Sequence, residues 1–289
     1  MITVVLNCYK RQQALRSQIR AVLAQSVPVE RILVWNNGES LDHTGLDGSV
    51  VVANCSKNLG VWSRFAFALN SETEYVCILD DDTFPGRDFF KSCLDQMAIR
   101  PALYGARGLR FLTRSRYQPF QGFGWDSPNE ESEEVDIVGH AWFFKRDWLG
   151  VFWRELPNIG SSRVVGEDMH FSFMLREYLD VPTFVPPHPI HNQRVWGSDP
   201  SIALQLGTSR EAISQSSDAL DQFDRALRFY TDRGFQLWKD KSNASNSAIA
   251  LGPGISRYPA IKDRIRRYPW LERMCRKGQK WLARWNIYI

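Results

Sequence analysis

The sequence predicts an α/β protein with a mostly parallel central sheet flanked by helices and a helical C-terminal extension. Three observations carry that expectation. Apolar runs of strand length alternate with segments whose apolar residues recur at helical spacing through the first hundred residues. The strand-like runs are apolar throughout, as in parallel sheets covered on both faces. The polar residues fit for chemistry collect just past the strand ends, where open α/β sheets bind their ligands.

Taken in order, "ITVVLNCY" is a strand, and "KRQQALRSQIRAVLAQS" is a helix with Leu15, Ile19, Val22 and Leu23 on its apolar face. "VERILVWNNGE" is a second strand ending in a turn-forming Asn-Asn-Gly, and "SVVVAN" is a third. "VWSRFAFALNS" is a helix presenting Trp62, Phe65 and Leu69, and "YVCILDDD" is the fourth strand. A helix follows Pro85 through "RDFFKSCLDQMAI". Residues 103–125, rich in Arg and aromatics, read as strands or a hairpin. The acidic stretch "DSPNEESEEVD" reads as a solvated loop, and "VDIVGHAWFFKRDWL" is apolar again. "GEDMHFSFMLREYL" is a helix opened by Gly166 and Glu167, and "VPTFVPPHPIHN" is a short strand running into a loop fixed by prolines. Helices are expected in 208–239. Residues 240–256, small, polar and Gly/Pro-rich, read as a linker or lid, and 257–289 form a basic aromatic tail.

Composition narrows the class. The 289 residues are 44% hydrophobic and 24% charged, ordinary for a soluble globular chain, whereas 13% aromatics with 11 Trp run high. Five cysteines, odd in number and without a C-x-x-C pair, read as reduced thiols and place the protein in the cytoplasm. No basic leader precedes "MITVVLN", and no apolar run approaches the roughly 20 residues of a membrane span, so any membrane association is expected to be peripheral. The net charge of +4 is uneven. Residues 257–284 hold ten Lys and Arg against two acidic residues, which leaves the rest of the chain at −4.

The stretch "YVCILDDDTFPG" poses the chemical question, because Asp80, Asp81 and Asp82 follow a buried strand directly. Neighbouring carboxylates repel one another and are costly to desolvate, so the cluster needs a compensating cation or full exposure. Carboxylates at a strand end suit Mg²⁺ or Mn²⁺, which share them with phosphate oxygens. One Asp there serves as a helix cap, but three exceed what capping requires.

Together, "WNN", "NLGVWSRFAFAL" before "ILDDD", and "GEDMHFSF" resemble the GT-A fold (Rossmann-like) nucleotide-sugar glycosyltransferases, over residues 2–195. The first half is similar to the family-2 bacterial group, and "VDIVGHAWFFKRDWL…GEDMHFSF" to the exostosin-like branch. Gly166 stands where that branch usually has Cys, and His140 where small residues are usual. The resemblance implies a catalytic domain over 1–207, with a donor half in about 1–100 and an acceptor half in about 101–207. It implies a hexosyltransferase-type enzyme using a UDP-sugar and Mn²⁺ or Mg²⁺ at a D-x-D motif. Asp80 would then lie near the donor ribose, Asp82 and Asp80 at the metal, and Asp81 beside them. A downstream histidine is often the third ligand, for which "VPPHPIHN" offers His188 and His191. Tyr9 would stack on the base, and Arg11, Asn36, Asn58 and Arg64 would hold base and pyrophosphate. Asp168, with Glu167 beside it at the helix start, would act at the reacting centre. It would be the general base if the enzyme inverts, and would sit beneath the anomeric carbon or orient the acceptor if it retains.

Two other readings compete. Nucleotidyltransferases and pyrophosphorylases share this architecture but usually carry a Gly-rich basic loop after the first strand, and "NCYKRQQ" has no glycine. A binding module on a dead catalytic fold would not need intact DDD and ED. The acceptor is an unidentified hydroxyl on a glycan, a lipid-linked glycan or a modified nucleic acid. The basic tail suits an anionic membrane surface or nucleic acid, or packs on the catalytic domain through Ile265, Leu271, Trp281 and Trp285.

Overall fold

β1 (Ile2–Cys8) is buried along its whole length and lies inside an eight-stranded sheet. The computed structural model describes residues 1–38, 41–42, 44–156, 165–207 and 218–241. The first four strands are β1, β2 (Val29–Asn36), β3 (Val50–Asn54) and β4 (Tyr75–Leu79), all parallel. Their crossovers run through α1 (Gln12–Leu23) and α2 (Ser63–Phe67), and α3 (Phe89–Ile99) follows β4. Next come β5 (Leu103–Tyr104), β6 (Arg107–Phe111), β7 (Phe120–Gly124), β8 (Glu133–Glu134), β9 (Ile137–Gly139) and β10 (Ala141–Lys145). The chain continues through α4 (Leu149–Phe152), α5 (Glu167–Leu179), β11 (Thr183–Val185), α6 (Pro200–Gly207) and α7 (Ala219–Asp232).

The large sheet has the order β3-β2-β1-β4-β10-β5-β11-β8, and only β10 and β8 run against the rest. The expected mostly parallel sheet flanked by helices is therefore the observed one. A second, antiparallel sheet has the order β7-β6-β9. The main core joins β1, β2, β4 and β10 to one face of α1 (Leu15, Ile19, Val22) and to Trp62 and Phe65 at α2. Two residues expected on those faces lie outside: Leu23 at the end of α1 and Leu69 are exposed. At Ala68–Asn70 the helix tightens to three residues per turn, which rotates Leu69 off the buried face.

The acidic stretch 126–136 departs from the expected solvated loop. Glu133 and Glu134 form β8 against β11, where Arg110 meets Glu133 at 2.7 Å and Arg176 and Lys241 both meet Glu134 at 2.8 Å. The partners come from β6, α5 and a helical turn at 238–241, so nothing local in the stretch announces them. Asp136 is buried and accepts backbone N–H groups from Phe111 (2.7 Å) and Trp238 (2.5 Å).

Residues 218–241 belong to this body. Leu227 and Tyr230 of α7 share a second core with Leu109, Ile137, Met169 and Phe173. Asp240, at the expected start of the linker, is ion-paired with Arg114 at 2.7 Å. The rest of the linker and the basic tail lie outside the described residues, as do the packing positions named in that tail. Cys8, Cys77 and Cys93 are buried free thiols, and Cys55 is free and half-buried. Among the described residues no helix is long and apolar enough to cross a membrane.

Asp136→Asn places an amide NH₂ against one of two buried N–H donors. The expected loss is about 1–3 kcal/mol of stability, read as a lowered urea midpoint at unchanged slope.

Candidate active site

Strand order reverses between β1 and β4, because β2 and β3 lie on one side of β1 and β4 on the other. At such a point the loops beyond the carboxyl ends diverge and leave a crevice. Here a cavity of about 860 Å³ opens. Tyr9 and Arg11 enter it after β1, Asn37 after β2, and Asp80, Asp81 and Asp82 after β4. β10 pairs antiparallel with β4 in the register Ala141↔Leu79, so the residue before β10, His140, lies opposite Asp80. The Asp80 N–H donates to the His140 carbonyl at 2.9 Å, and His140 takes a left-handed φ of 62° to make that corner. Glu167 and Asp168, which also line the cavity, occupy the first turn of α5, where the helix dipole favours negative charge. Gly166 precedes them at φ 90°, a backbone position that strains any side chain.

Each aspartate meets a basic side chain. Asp80 contacts Arg64, which also reaches Glu167 at 2.9 Å and lies 4.6 Å from the centre of the Trp142 ring. Asp81 accepts from Arg11 at 2.5 Å, and Asp82 lies 3.8 Å from Arg11 and 3.3 Å from the His140 Nδ1. Negative charge remains in excess. Among the described lining residues, six carboxylates (Asp80, Asp81, Asp82, Asp126, Glu167, Asp168) face three arginines (Arg11, Arg64, Arg107).

The excess shows in the titration behaviour. Burial pushes the Asp81 carboxyl up to about 7, with Asp82 and Asp80 adding to it against the pull of Arg11. Burial also raises Glu167 and Asp168 above the usual carboxylate range. For Glu167 the Asp168 charge adds to that rise and Arg64 opposes it; for Asp168 the Met169 N–H opposes it and Asp80 adds. Asp82 moves the other way. Burial would raise it, but the hydrogen bond and charge of His140, together with Arg11, hold it below the ordinary value. Burial opposes charge on His140 as well, yet Asp82 keeps that imidazole above its usual value.

Asp80, Asp82 and His140 each bring a ligand atom to within 4.8 Å of the others. Two carboxylates and an imidazole form a set that accepts a divalent cation such as Mn²⁺, and a cation there would offset the surplus of carboxylates.

Of the residues singled out in the sequence, Tyr9, Arg11, Asn58, Arg64, Asp80, Asp81, Asp82, Glu167 and Asp168 line the cavity. Asn36 and His188 do not. Asn36 is buried and its amide donates to the Asn54 Oδ1 at 2.6 Å, stapling β2 to β3. Its neighbour Asn37 faces the cavity, donating to the Asn58 Oδ1 at 2.6 Å and accepting from the Leu59 N–H at 2.7 Å. His188 is fully buried with both ring nitrogens engaged. Nδ1 lies 2.8 Å from the Pro186 carbonyl, and Nε2 accepts the Gly197 N–H at 2.8 Å. That fixes the tautomer and leaves no lone pair for a metal, and burial holds the ring neutral, down to about 4. His191 is exposed beside Glu130. The histidine at the carboxylates is His140. Sequence reading also missed the cavity residues Asn7, Trp125 and Trp142. The Asn7 Oδ1 and the Trp125 and Trp142 indole N–H groups are buried with no hydrogen-bond partner among the described residues.

No protein-family model matches the chain, and no curated protein matches it. Solved structures do. The first is S. aureus TarS 1–349, at 16% identity and TM-score 0.47, covering 81% of this chain and 74% of that one. Its complex with UDP aligns at 15% identity and TM-score 0.44, over 64% of this chain and 57% of that one. A structure of S. aureus TarS aligns at 14% identity and TM-score 0.43, over 81% and 45% of the respective chains.

Mn²⁺ at a hundredfold excess over its Kd is expected to raise Tm by roughly 5–10 °C. Thermal melts of Asp82→Ala and His140→Ala should show no such rise, whereas His191→Ala should keep it.

Proposed function

We propose that the protein is a nucleotide-sugar glycosyltransferase that moves a sugar from a UDP-linked donor to a hydroxyl acceptor with Mn²⁺ or Mg²⁺ at Asp80, Asp82 and His140. The observation that carries this reading is the presence of two acidic centres, bridged by Arg64, in one cavity. One is the triad at the β4 end, and the other is Glu167–Asp168 at the start of α5. A diphosphate adds negative charge to a site already rich in carboxylates, so its entry requires a cation. The bound cation supplies neutralisation of the departing diphosphate.

The chain's own residues divide the remaining work. Tyr9, half-buried at the cavity wall, offers a ring for the base, and the unpartnered Asn7 Oδ1 offers an acceptor beside it. Arg11 holds Asp81 and also donates to the Leu206 carbonyl at 2.7 Å, which ties α6 to the site. Arg64 is buried and holds Asp80 and Glu167 together, so Glu167 serves the structure and Asp168 is left for chemistry. Asp168 is partly open to the cavity, and burial makes it a stronger base than an ordinary Asp. It takes the proton as the acceptor oxygen forms its bond to the anomeric carbon, while the bond from that carbon to the diphosphate breaks and the diphosphate leaves. This assignment makes the enzyme inverting. Gly166, at a φ that a cysteine would strain, favours the family-2-like pattern over the exostosin-like Cys-Glu-Asp.

The test is release of UDP from a panel of UDP-sugars with and without Mn²⁺, in wild type and Asp82→Ala. Metal-stimulated release lost in the variant is expected. Pyrophosphate release from nucleoside triphosphates, with no turnover of nucleotide sugars, would make the protein a nucleotidyltransferase instead.

Asp168→Asn is expected to bind UDP as wild type does and to transfer about 10²- to 10⁴-fold more slowly. The base must be deprotonated and its pKa is raised, so activity falls as pH drops through the raised value. The acid limb of the wild-type kcat/KM profile should therefore lie above the ordinary Asp value of about 3.9 and be missing from the residual activity of Asp168→Asn.

A further inference from the structure

We infer that the wall of the cavity built by Tyr117, Phe120 and Phe223 is a binding site for a neutral carbohydrate. The cavity has two unlike halves. One is ionic and lies beyond β1 and β4; the other is formed by the β7-β6-β9 sheet and α7. In that second half Tyr117 stacks on Phe223 with ring centres 4.8 Å apart, and Phe120 meets Tyr117 edge-on at 5.8 Å. The loop that carries Tyr117 is pinned to α7, because the Tyr117 N–H donates to the Asp224 Oδ1 at 2.6 Å. All three rings are half-buried and border the cavity, and Tyr117 and Phe120 are backed by the second core, which holds them in place as a preformed surface.

Apolar rings alone would suit a hydrocarbon as well as a sugar. Two polar features beside them select the sugar. Asp126 presents a carboxylate at this wall, and the Arg107 guanidinium that meets it lies over the Phe120 ring. A hydrocarbon would strip water from this ion pair at a cost, whereas a pyranose has C–H faces for the rings and hydroxyls for the polar groups. Charge excludes an anionic ligand. Among the described lining residues the only cation of this half is Arg107, whose Nε donates to Asp126 at 2.6 Å and whose guanidinium lies 5.4 Å from the Phe120 ring centre. Asp126, Glu167 and Asp168 would repel phosphates, and nucleic-acid binding depends on cations able to meet them. As an acceptor site the wall rests on the transferase reading; as a carbohydrate site it stands without it.

Saturation-transfer NMR on the full chain tests this, with methyl glycopyranosides of the gluco, galacto and manno series as neutral probes and a hexanucleotide as the anionic one. At least one glycoside should take up saturation on its ring C–H protons. Phe223→Leu keeps apolar bulk and removes the ring face, so the Kd of that glycoside should rise roughly three- to tenfold. Phe120→Leu provides the same measurement if the first variant does not give the wild-type circular dichroism. Absence of saturation in every glycoside, unchanged Kd in a folded ring variant, or displacement of the glycoside by the hexanucleotide would each overturn the inference. A UDP titration separates it from the transferase reading. Wild type that binds UDP but no glycoside loses only the carbohydrate site, and wild type that binds a glycoside at these rings but not UDP loses only the transferase.

Discussion

Arg64 is a buried guanidinium held between Asp80, at the end of β4, and Glu167, at the start of α5. A charge so placed is stable only while its partners stay in reach, and losing the guanidinium would leave both carboxylates without their common cation at a cost of about 3–5 kcal/mol. The bridge therefore constrains more than itself. It fixes the first turn of α5 against the end of β4, so Asp168 faces the same cavity as the triad. Trp142 beneath the guanidinium supplies an aromatic face that a cation tolerates with little water. The two acidic centres would repel each other without this common cation.

The triad follows the same logic. Three adjacent carboxylates at a buried strand end are compensated one by one, through Arg64, Arg11 and His140. Burial, with neighbouring carboxylates adding to it, makes Asp81 and Glu167 hold their protons more tightly than usual, while His140 and Arg11 hold Asp82 below its ordinary value. A protein under selection for stability alone would place apolar side chains here, because burying charge against charge rarely improves on good packing. The unspent negative charge points towards a ligand that brings its own cation.

Elements set by local pattern were legible in the sequence. The apolar runs became β1, β2 and β4. "RDFFKSCLDQMAI" became α3, and "GEDMHFSFMLREYL" became α5. Tyr9, Arg11 and the three aspartates follow the carboxyl ends of β1 and β4, where the strand-end rule puts a crevice. The failures share a cause. Whether Leu69 is buried depended on the tightening of a helix, and the fate of Glu133 and Glu134 on cations far along the chain. Asn36 and Asn37 are one residue apart, and only the end of β2 decides which of them points into the strand pair and which into the cavity.

The choice between His188 and His140 shows the limit most clearly. The prolines around His188 do fix its backbone, but they fix it inside the core, with a carbonyl on one ring nitrogen and an N–H on the other. His140 stood out in the sequence only as an unusual residue where small ones are common. Its approach to the triad comes from the antiparallel register of β10 on β4, and a shift of one residue would carry it away from Asp80. Register across a sheet is a property of two strands more than sixty residues apart, set by the packing of Phe143 and Phe144 in the core. The same packing that buries those rings therefore delivers the imidazole to the carboxylates.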